Sequence, residues 1–358
     1  MNKIKVLVVD DSALMRKFIS DMINEQYDME TMDIARNGED LLIKLSKGSV
    51  PDVITLDVEM PKIDGITALK ELKKKNINVP VVVLSSISKR GPELTMDCLA
   101  AGAFDFIPKP SGQISLDIDK IKNELIEKIR LAFKKGLPKN KMINDSIQVE
   151  NKIKTKVEYS NNLKSRSDKI EAVVIGASTG GPKAIYTVIT ALPENLGVPV
   201  FVVQHMPVGF TKAFSERLDS NSKIHVVEAS EGMNIKKDTV YVAQGGFHME
   251  VGGDCKIHLN TEPPIWGVRP AVDRLFISAS KVYGSQIVSV VLTGMGKDGA
   301  DGTIEIKKGG GITIAEDKST CTIYGMPKAA YETGMVDIVL PIDNVAHEII
   351  TAVSGNRR

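Results

Sequence analysis

Cysteine is scarce and never paired at short range: Cys98, Cys255 and Cys321 are the three in 358 residues, with no Cys-x-x-Cys among them. That spacing offers neither a disulfide framework nor a zinc site, and each thiol reads as buried or incidental. A charge excess is missing as well. The 46 Lys and Arg stand against 45 Asp and Glu, a formal net charge of +1, so nothing calls for a nucleic-acid partner. No apolar run approaches the roughly 20 residues that a membrane-spanning helix needs. The opening "MNKIKVLVVDD" lacks the long apolar region and cleavage site of a secretory signal. A cytoplasmic protein without direct membrane insertion is expected. No short-period repeat is found, and the turn "GASTGG" is neither a Gly-x-Gly-x-x-Gly frame nor followed by Lys as in a P-loop, which makes dinucleotide and nucleoside triphosphate binding minor readings there. The C-terminal half shows no helix-turn-helix pattern or basic recognition stripe, so a DNA-binding effector is disfavoured.

What is present is globular in balance, with 42% hydrophobic and 25% charged residues, and the length suggests two domains at roughly 100 to 200 residues each. From residue 4 to about 135 apolar runs ("KVLVV", "METMDIA", "DVITL", "VPVVVLS", "FDFIP") alternate with amphipathic stretches such as "ALMRKFISDMIN", "GEDLLIKLSK" and "GITALKELKKKN". Strict βα alternation predicts a doubly wound parallel sheet of five strands. After "DKIKNELIEKIRLAFKK" the segment from Gly136 to Asp168 is rich in Lys, Asn and Ser and poor in large apolar residues, the composition of a flexible linker. Alternation resumes at "KIEAVVIGAS", giving a second, larger α/β domain. Within it "GGFHMEVGGDCKIHLN" predicts an antiparallel hairpin turning at Gly252-Gly253-Asp254. The expected division is 1–135, linker 136–168 and 169–358.

Asp10 and Asp11 follow the strand "VLVV" and Asp57 follows "VITL", so three carboxylates project from the C-terminal edge of the first sheet, where open α/β sheets bind ligands. Clustered carboxylates repel one another and favour a hard cation such as magnesium. Ser85, after "PVVVL", and Lys109, in "FIPKP", reach the same edge. A carboxylate at Asp57 can attack a phosphoryl donor, while a cation and Lys109 neutralise charge and the Ser85 hydroxyl bonds the new phosphoryl oxygens. A lone Asp at a strand end is more often a helix cap or a solvated loop; five such residues arriving in order at four strand ends reverse that preference.

Through "VVDDSALMR", "TLDVEMPKIDG", "LSS" and "PKP", residues 1 to about 135 resemble a response-regulator receiver domain, of flavodoxin-like fold. The resemblance implies Asp57 as phosphoacceptor and Asp10, Asp11, Asp57 and the Glu59 main-chain carbonyl as Mg2+ ligands. It further implies Ser85 as switch hydroxyl, Lys109 as partner of the phosphoryl group and Phe106 as the aromatic that swings inward on activation.

In the second half, "GASTG" sets Ser178 in a Gly-x-Ser-x-Gly frame between a strand and a helix. Small neighbours allow a sharp turn that exposes the hydroxyl, and a helix N-terminus supplies donors for an oxyanion. A plain glycine turn or an anion-binding loop is an equal alternative, since serine needs a base to become a nucleophile. Among five histidines, His205 ends "PVFVVQH" and reaches the same sheet edge. His225 and His258 lie in strand patterns, His347 in the last amphipathic helix, and His248 in the hairpin without catalytic spacing. Asp298, in the glycine-rich loop after "VSVVLT", can meet an imidazole Nδ1–H and fix its tautomer, with Asp301 as the fallback. The order Ser, His, Asp differs from that of α/β-hydrolases, which points to convergence.

Residues 170 to 358 resemble the catalytic domain of the chemotaxis protein-glutamate methylesterases, through "IGASTGGPKA", "VVQHMPVGFTKAFSERLD", "VYVAQGGFHMEV", "RPAVDRLF", "VLTGMGKDGADG" and "YGMPKAA". The resemblance implies Ser178 as nucleophile, His205 as general base and Asp298 as its orienter. Thr179 lies beside the nucleophile and Met295 in the loop that helps form the oxyanion site. It also implies hydrolysis of glutamate methyl esters on chemoreceptors with methanol release, glutamine deamidation as a second activity, a chemotaxis histidine kinase as phosphodonor, and no cofactor in the catalytic domain. Val208, Gln244 and Phe247 depart from the family pattern at positions that bear on peptide preference. Two rivals are a hydrolase of small metabolite esters and a phosphorylation-controlled binding module with an inactive hydrolase half.

Overall fold

The structure, a computed structural model, describes residues 3–48, 50–88, 90–109, 118–136 and 169–355, with the backbone alone at 118–120. The expected linker lies outside the described residues except for Gly136, which ends a helix. Two compact units divide the chain, Met1–Lys152 and Ile153–Arg358.

The first unit runs β1 (Ile4–Val9), α1 (Ala13–Asn24), β2 (Met29–Ala35), α2 (Gly38–Ser46), β3 (Val53–Asp57), α3 (Gly65–Lys74), β4 (Val81–Ser85), α4 (Gly91–Ala101), β5 (Asp105–Pro108) and α5 (Ile118–Gly136). The sheet is parallel throughout in the order β2-β1-β3-β4-β5, the flavodoxin-like arrangement. All five residues of β3 and of β4 are buried, as expected of strands covered by helices on both faces. Three helices open on side-chain caps, from Ser12 to Met15 N (3.4 Å), Asn37 to Asp40 N (3.0 Å) and Asp64 to Thr67 N (2.8 Å), and each cap fixes where the loop at the functional edge ends. One face of the sheet packs Val6, Val8, Val53 and Ile107 against Ile19 and Ile23 of α1 and Leu125 and Ile129 of α5. Each such side chain contributes roughly 1.5–3 kcal/mol by leaving water.

The second unit runs β6 (Ala172–Ala177), α6 (Gly181–Thr190), β7 (Val200–Gln204), α7 (Phe210–Asn221), β8 (His225–Glu228), β9 (Thr239–Val242), β10 (His248–Val251), β11 (Ile257–Asn260), α8 (Val272–Tyr283), β12 (Ile287–Val291), α9 (Ala300–Lys308), β13 (Ile312–Glu316), α10 (Met326–Glu332), β14 (Ile338–Leu340) and α11 (Ile342–Ser354). Seven strands form a parallel sheet ordered β14-β13-β12-β6-β7-β9-β8. The expected hairpin is present as a two-stranded sheet of its own, β10 against β11, with Val251 opposite Ile257. Its apolar residues Met249, Val251 and Ile257 join Leu275 and Phe276 of α8 in the core. This topology sets β12, β6 and β7 side by side, so the residues that follow each strand meet at one edge. From β6 the chain runs one way to β7 and from β12 the other way to β13, which makes the edge between β6 and β12 a topological switch point.

Candidate functional site

Two sheet edges carry polar groups. At the first, Asp10, Asp11 and Asp57 each present a carboxylate oxygen within 4.8 Å of the others. Asp10 and Asp57 are buried, Asp11 exposed. Lys109 Nζ stands 2.8 Å from Asp10 Oδ2 and 2.7 Å from Asp57 Oδ2, and the Lys109 N–H donates to Ser85 O (2.7 Å), which holds the β5 end beside β4. One ammonium contacts two of the three carboxylates. Burial pushes Asp57 up to about 6 against the pull of Lys109, with the Asp10 charge adding to the rise. Burial works to lower Lys109, but the two carboxylates hold it above its ordinary value. The donor set is made of hard oxygens with uncompensated negative charge, which suits a divalent cation of the magnesium type.

Around this centre, Glu59 N donates to Asp57 Oδ1 (3.3 Å) and the Glu59 carboxylate accepts from Ser86 and Ser88. The Ser85 hydroxyl is buried and engaged with α4, 2.6 Å from Thr95 Oγ1 and 3.2 Å from Gly91 O. Phe106 is already inward at 4% exposure, with Lys128 Nζ 5.5 Å from its ring centre.

At the second edge, Ser178 follows β6 and His205 follows β7, and the His205 N–H donates to Ala177 O (3.0 Å), which ties the two strand ends. The Ser178 turn is tight. Gly181 N donates to Ser178 O (2.7 Å) and Ser178 N to Thr293 O (3.0 Å). Gly180 takes φ 75°, and a Cβ there would stand 2.4 Å from Thr322 Cβ, so only glycine fits before α6. A Cβ on Gly294 would stand 2.8 Å from Ser178 Cβ, which sets the Met295 loop directly against the hydroxyl-bearing residue. Gln204, 2% exposed, forks its Nε2 to Ser178 O and His205 O, both at 3.0 Å. Thr293 Oγ1 donates to Thr179 O (3.0 Å).

Asp298 meets His205 from the far side of Ser178's strand, with Oδ2 2.7 Å from Nε2. The sequence expectation of an Nδ1 contact is corrected by this geometry: residue spacing does not fix ring orientation, and here Nε2 takes the carboxylate while Nδ1 is left for another partner. Asp298 also accepts from Val272 N at Oδ2 (2.7 Å) and Asp273 N at Oδ1 (2.9 Å). Burial works to raise its pKa, but the His205 contact and those two N–H donors at the start of α8 hold it below the ordinary carboxylate range. The carboxylate is anchored to a helix N-terminus, where negative charge is favoured.

Residues 173–349 match the family model described as CheB methylesterase, and residues 6–119 that described as response regulator receiver domain. The protein-glutamate methylesterase/protein-glutamine glutaminase of Clostridium acetobutylicum is 58% identical over 359 residues, covering 100% of both chains. The chain belongs to this methylesterase family. A family member of the same name from Pyrococcus abyssi is 46% identical over 354 residues, covering 98% of this chain and 94% of its own. A crystal structure of the Thermotoga maritima CheB methylesterase catalytic domain is 45% identical, covering 51% of this chain and 98% of that one with a TM-score of 0.49.

In this member of the methylesterase family the other candidates fall away from the centre. Asp301 is exposed within α9, and His347 is exposed in α11. His225 pairs with Asp219 (2.9 Å) and His258 with Asp254 (3.1 Å) and Glu231 (3.3 Å), all at the surface. His248 is wholly buried as a strut, with Nε2 donating to Pro263 O and Nδ1 accepting from Ala271 N, both at 3.2 Å. Burial keeps its pKa low. Gln204, Thr293, Val272 and Asp273 support the site without having stood out in sequence. The one available signal was an Asp two residues after Pro-Ala in "RPAVDRLF", at a helix start. A concavity of about 280 Å3 lined by Ile170, Val198 and Tyr283 lies at the opposite ends of β6 and β7 and contains none of these groups. Among the described residues no helix is long and apolar enough to cross a membrane.

Proposed function

We propose that the chain is a phosphorylation-controlled hydrolase that demethylates glutamate methyl esters on chemoreceptors, releasing methanol, and deamidates receptor glutamines in the cytoplasm. The observation that carries this reading is the 2.7 Å contact of His205 Nε2 with Asp298 at the strand end beside Ser178. With the Nε2 proton committed to Asp298, the Nδ1 lone pair takes the Ser178 proton as Oγ attacks the ester carbonyl. The Thr179 and Met295 N–H groups, which donate to no acceptor among the described residues, are the oxyanion donors in this reading. Collapse expels methanol, which leaves with the proton from the imidazole. Water then loses a proton to His205 and attacks the acyl-enzyme, and the free carboxylate departs as Ser178 regains its proton. An amide in place of the ester releases ammonia by the same steps.

Control belongs to the first sheet edge. Asp57 is the phosphoacceptor, with a chemotaxis histidine kinase as donor. Asp10, Asp11, Asp57 and the Glu59 carbonyl would hold Mg2+, which when bound supplies charge neutralisation at the phosphoryl group. Lys109 adds its cation there. Ser85, released from Thr95 and Gly91, is the hydroxyl that meets the modified Asp57, and Phe106 follows in its inward setting. The organisation is a receiver over 1–135, a linker over 136–168 and a catalytic domain over 169–358. A fluorophosphonate probe tests the nucleophile: it should bond covalently to Ser178 and abolish methanol release in parallel. Labelling elsewhere with activity intact would contradict the assignment.

A further inference from the structure

Two helices begin at the catalytic edge, and each closes the first turn of the other. The Asp298 carboxylate, one residue before the α9 cap, accepts Val272 N and Asp273 N of α8 at 2.7 and 2.9 Å. The Asp273 carboxylate, second in α8, accepts Gly299 N (2.9 Å) and Gly302 N (2.8 Å) of α9 at its Oδ1. Its Oδ2 accepts the Trp266 indole N–H at 3.2 Å. Neither helix has a capping side chain of its own. A serine or asparagine caps a helix without adding a buried charge. Two acids at 3% and 2% exposure repel each other instead. Burial and the Asp298 charge push Asp273 up to about 6. An arrangement that costs stability in this way has another return, and the geometry identifies it: the peptide that carries Asp298 is the one tied down through Gly299.

We propose that Asp273 is a positioning residue for the hydrolytic reaction, holding the Asp298–Gly299 peptide so that the Asp298 carboxylate faces His205 Nε2. The inference rests on the Ser178–His205–Asp298 reading given above. Without the Asp273 acceptor, Gly299 N and Gly302 N lose their partner and the peptide after Asp298 is free to rotate. A misplacement of about 1 Å at a catalytic group costs on the order of 100-fold in rate. Trp266 is half exposed and covered by Lys297, whose Nζ lies 3.7 Å from the ring centre, so loosening this outer partner leaves the core intact.

The test is methanol release by the full chain with Mg2+ and a small phosphodonor. Asp273→Ala should lower kcat by roughly 10- to 100-fold with KM changed less than about twofold. Asp273→Asn, which keeps an oxygen for Gly299 and Gly302, should restore most of the rate. On an Asp298→Ala background, Asp273→Ala should cost less than about twofold more, because its effect runs through a carboxylate already gone. Trp266→Phe should lower kcat by about two- to fivefold, also only where Asp298 is present, and it keeps the question answerable when Asp273→Ala does not fold. Equal losses with and without Asp298, a change confined to KM, or no change in either Asp273→Ala or Trp266→Phe would overturn the proposal. Wild-type release from Asp298→Ala alone would instead sink the triad reading and this inference with it.

Discussion

Both units place a buried aspartate at the C-terminal edge of a parallel sheet, yet the two carboxylates live under opposite conditions. Asp57 has one long main-chain donor at 3.3 Å and one cation that it shares with Asp10, and burial pushes it up to about 6. Asp298 has three donors between 2.7 and 2.9 Å and is held low against the same burial. In the proposed roles, the acid that attacks a phosphorus atom is the one left short of partners. The acid proposed to stay still and charged is the one with three fixed donors. The number of fixed donors, more than the depth of burial, separates the two roles.

The largest effect that can break this comparison is at the proposed nucleophile. Ser178→Ala should reduce methanol release by about 10⁴-fold or more, since triad members act as a unit. Asp298→Asn comes next, with a loss of roughly 10²- to 10⁴-fold in kcat, because an amide at Nε2 no longer fixes the tautomer that leaves Nδ1 unprotonated. At the other edge, Asp57→Asn should bring the ratio of phosphodonor-stimulated to unstimulated rate to about 1. A smaller effect is expected from the cation. Mg2+ at ten times its Kd should stabilise the first unit by about 1.4 kcal/mol, seen as a rise of several degrees in Tm that Asp11→Ala removes.

The smallest effect is one of pH. The folded value of Asp273 is raised from 3.8 to about 6, so the stability associated with its protonated form is fully present below about 3.8 and lost as pH rises through about 6. Asp273→Asn should therefore flatten the decline in stability of the second unit over that window. Denaturant titrations at pH 4, 5, 6 and 7 measure it.

Much of the architecture was legible because continuous apolar runs, as expected of strands buried on both faces, alternate with amphipathic stretches of helical period. "ALMRKFISDMIN" coincides with α1, where Ser12 supplies the cap, and "METMDIA" with β2. By contrast, α4 has no side-chain cap at Arg90 and buries residues such as Thr95 and Cys98, so its pattern does not announce itself. That Ser178, His205 and Asp298 follow strands ending at one sheet edge could be read from their places after strongly apolar runs. The imidazole nitrogen that faces Asp298 could not, because spacing along the chain carries no ring orientation. Nor could the exchange of caps between α8 and α9, which exists only once β12 has been laid beside β6 and the two helix starts meet. Gln204 was hidden for a similar reason: its fork to Ser178 O and His205 O requires neighbouring strands to be in register.

The most direct test of the whole account is methanol release from a methyl-esterified chemoreceptor fragment, measured with and without Mg2+ and phosphodonor, with Ser178→Ala as the blank. Release that rises with phosphodonor in the wild type, loses that rise in Asp57→Asn and vanishes in Ser178→Ala is the predicted result. Equal, slow release from wild type and Ser178→Ala would contradict it and leave the binding-module reading in its place.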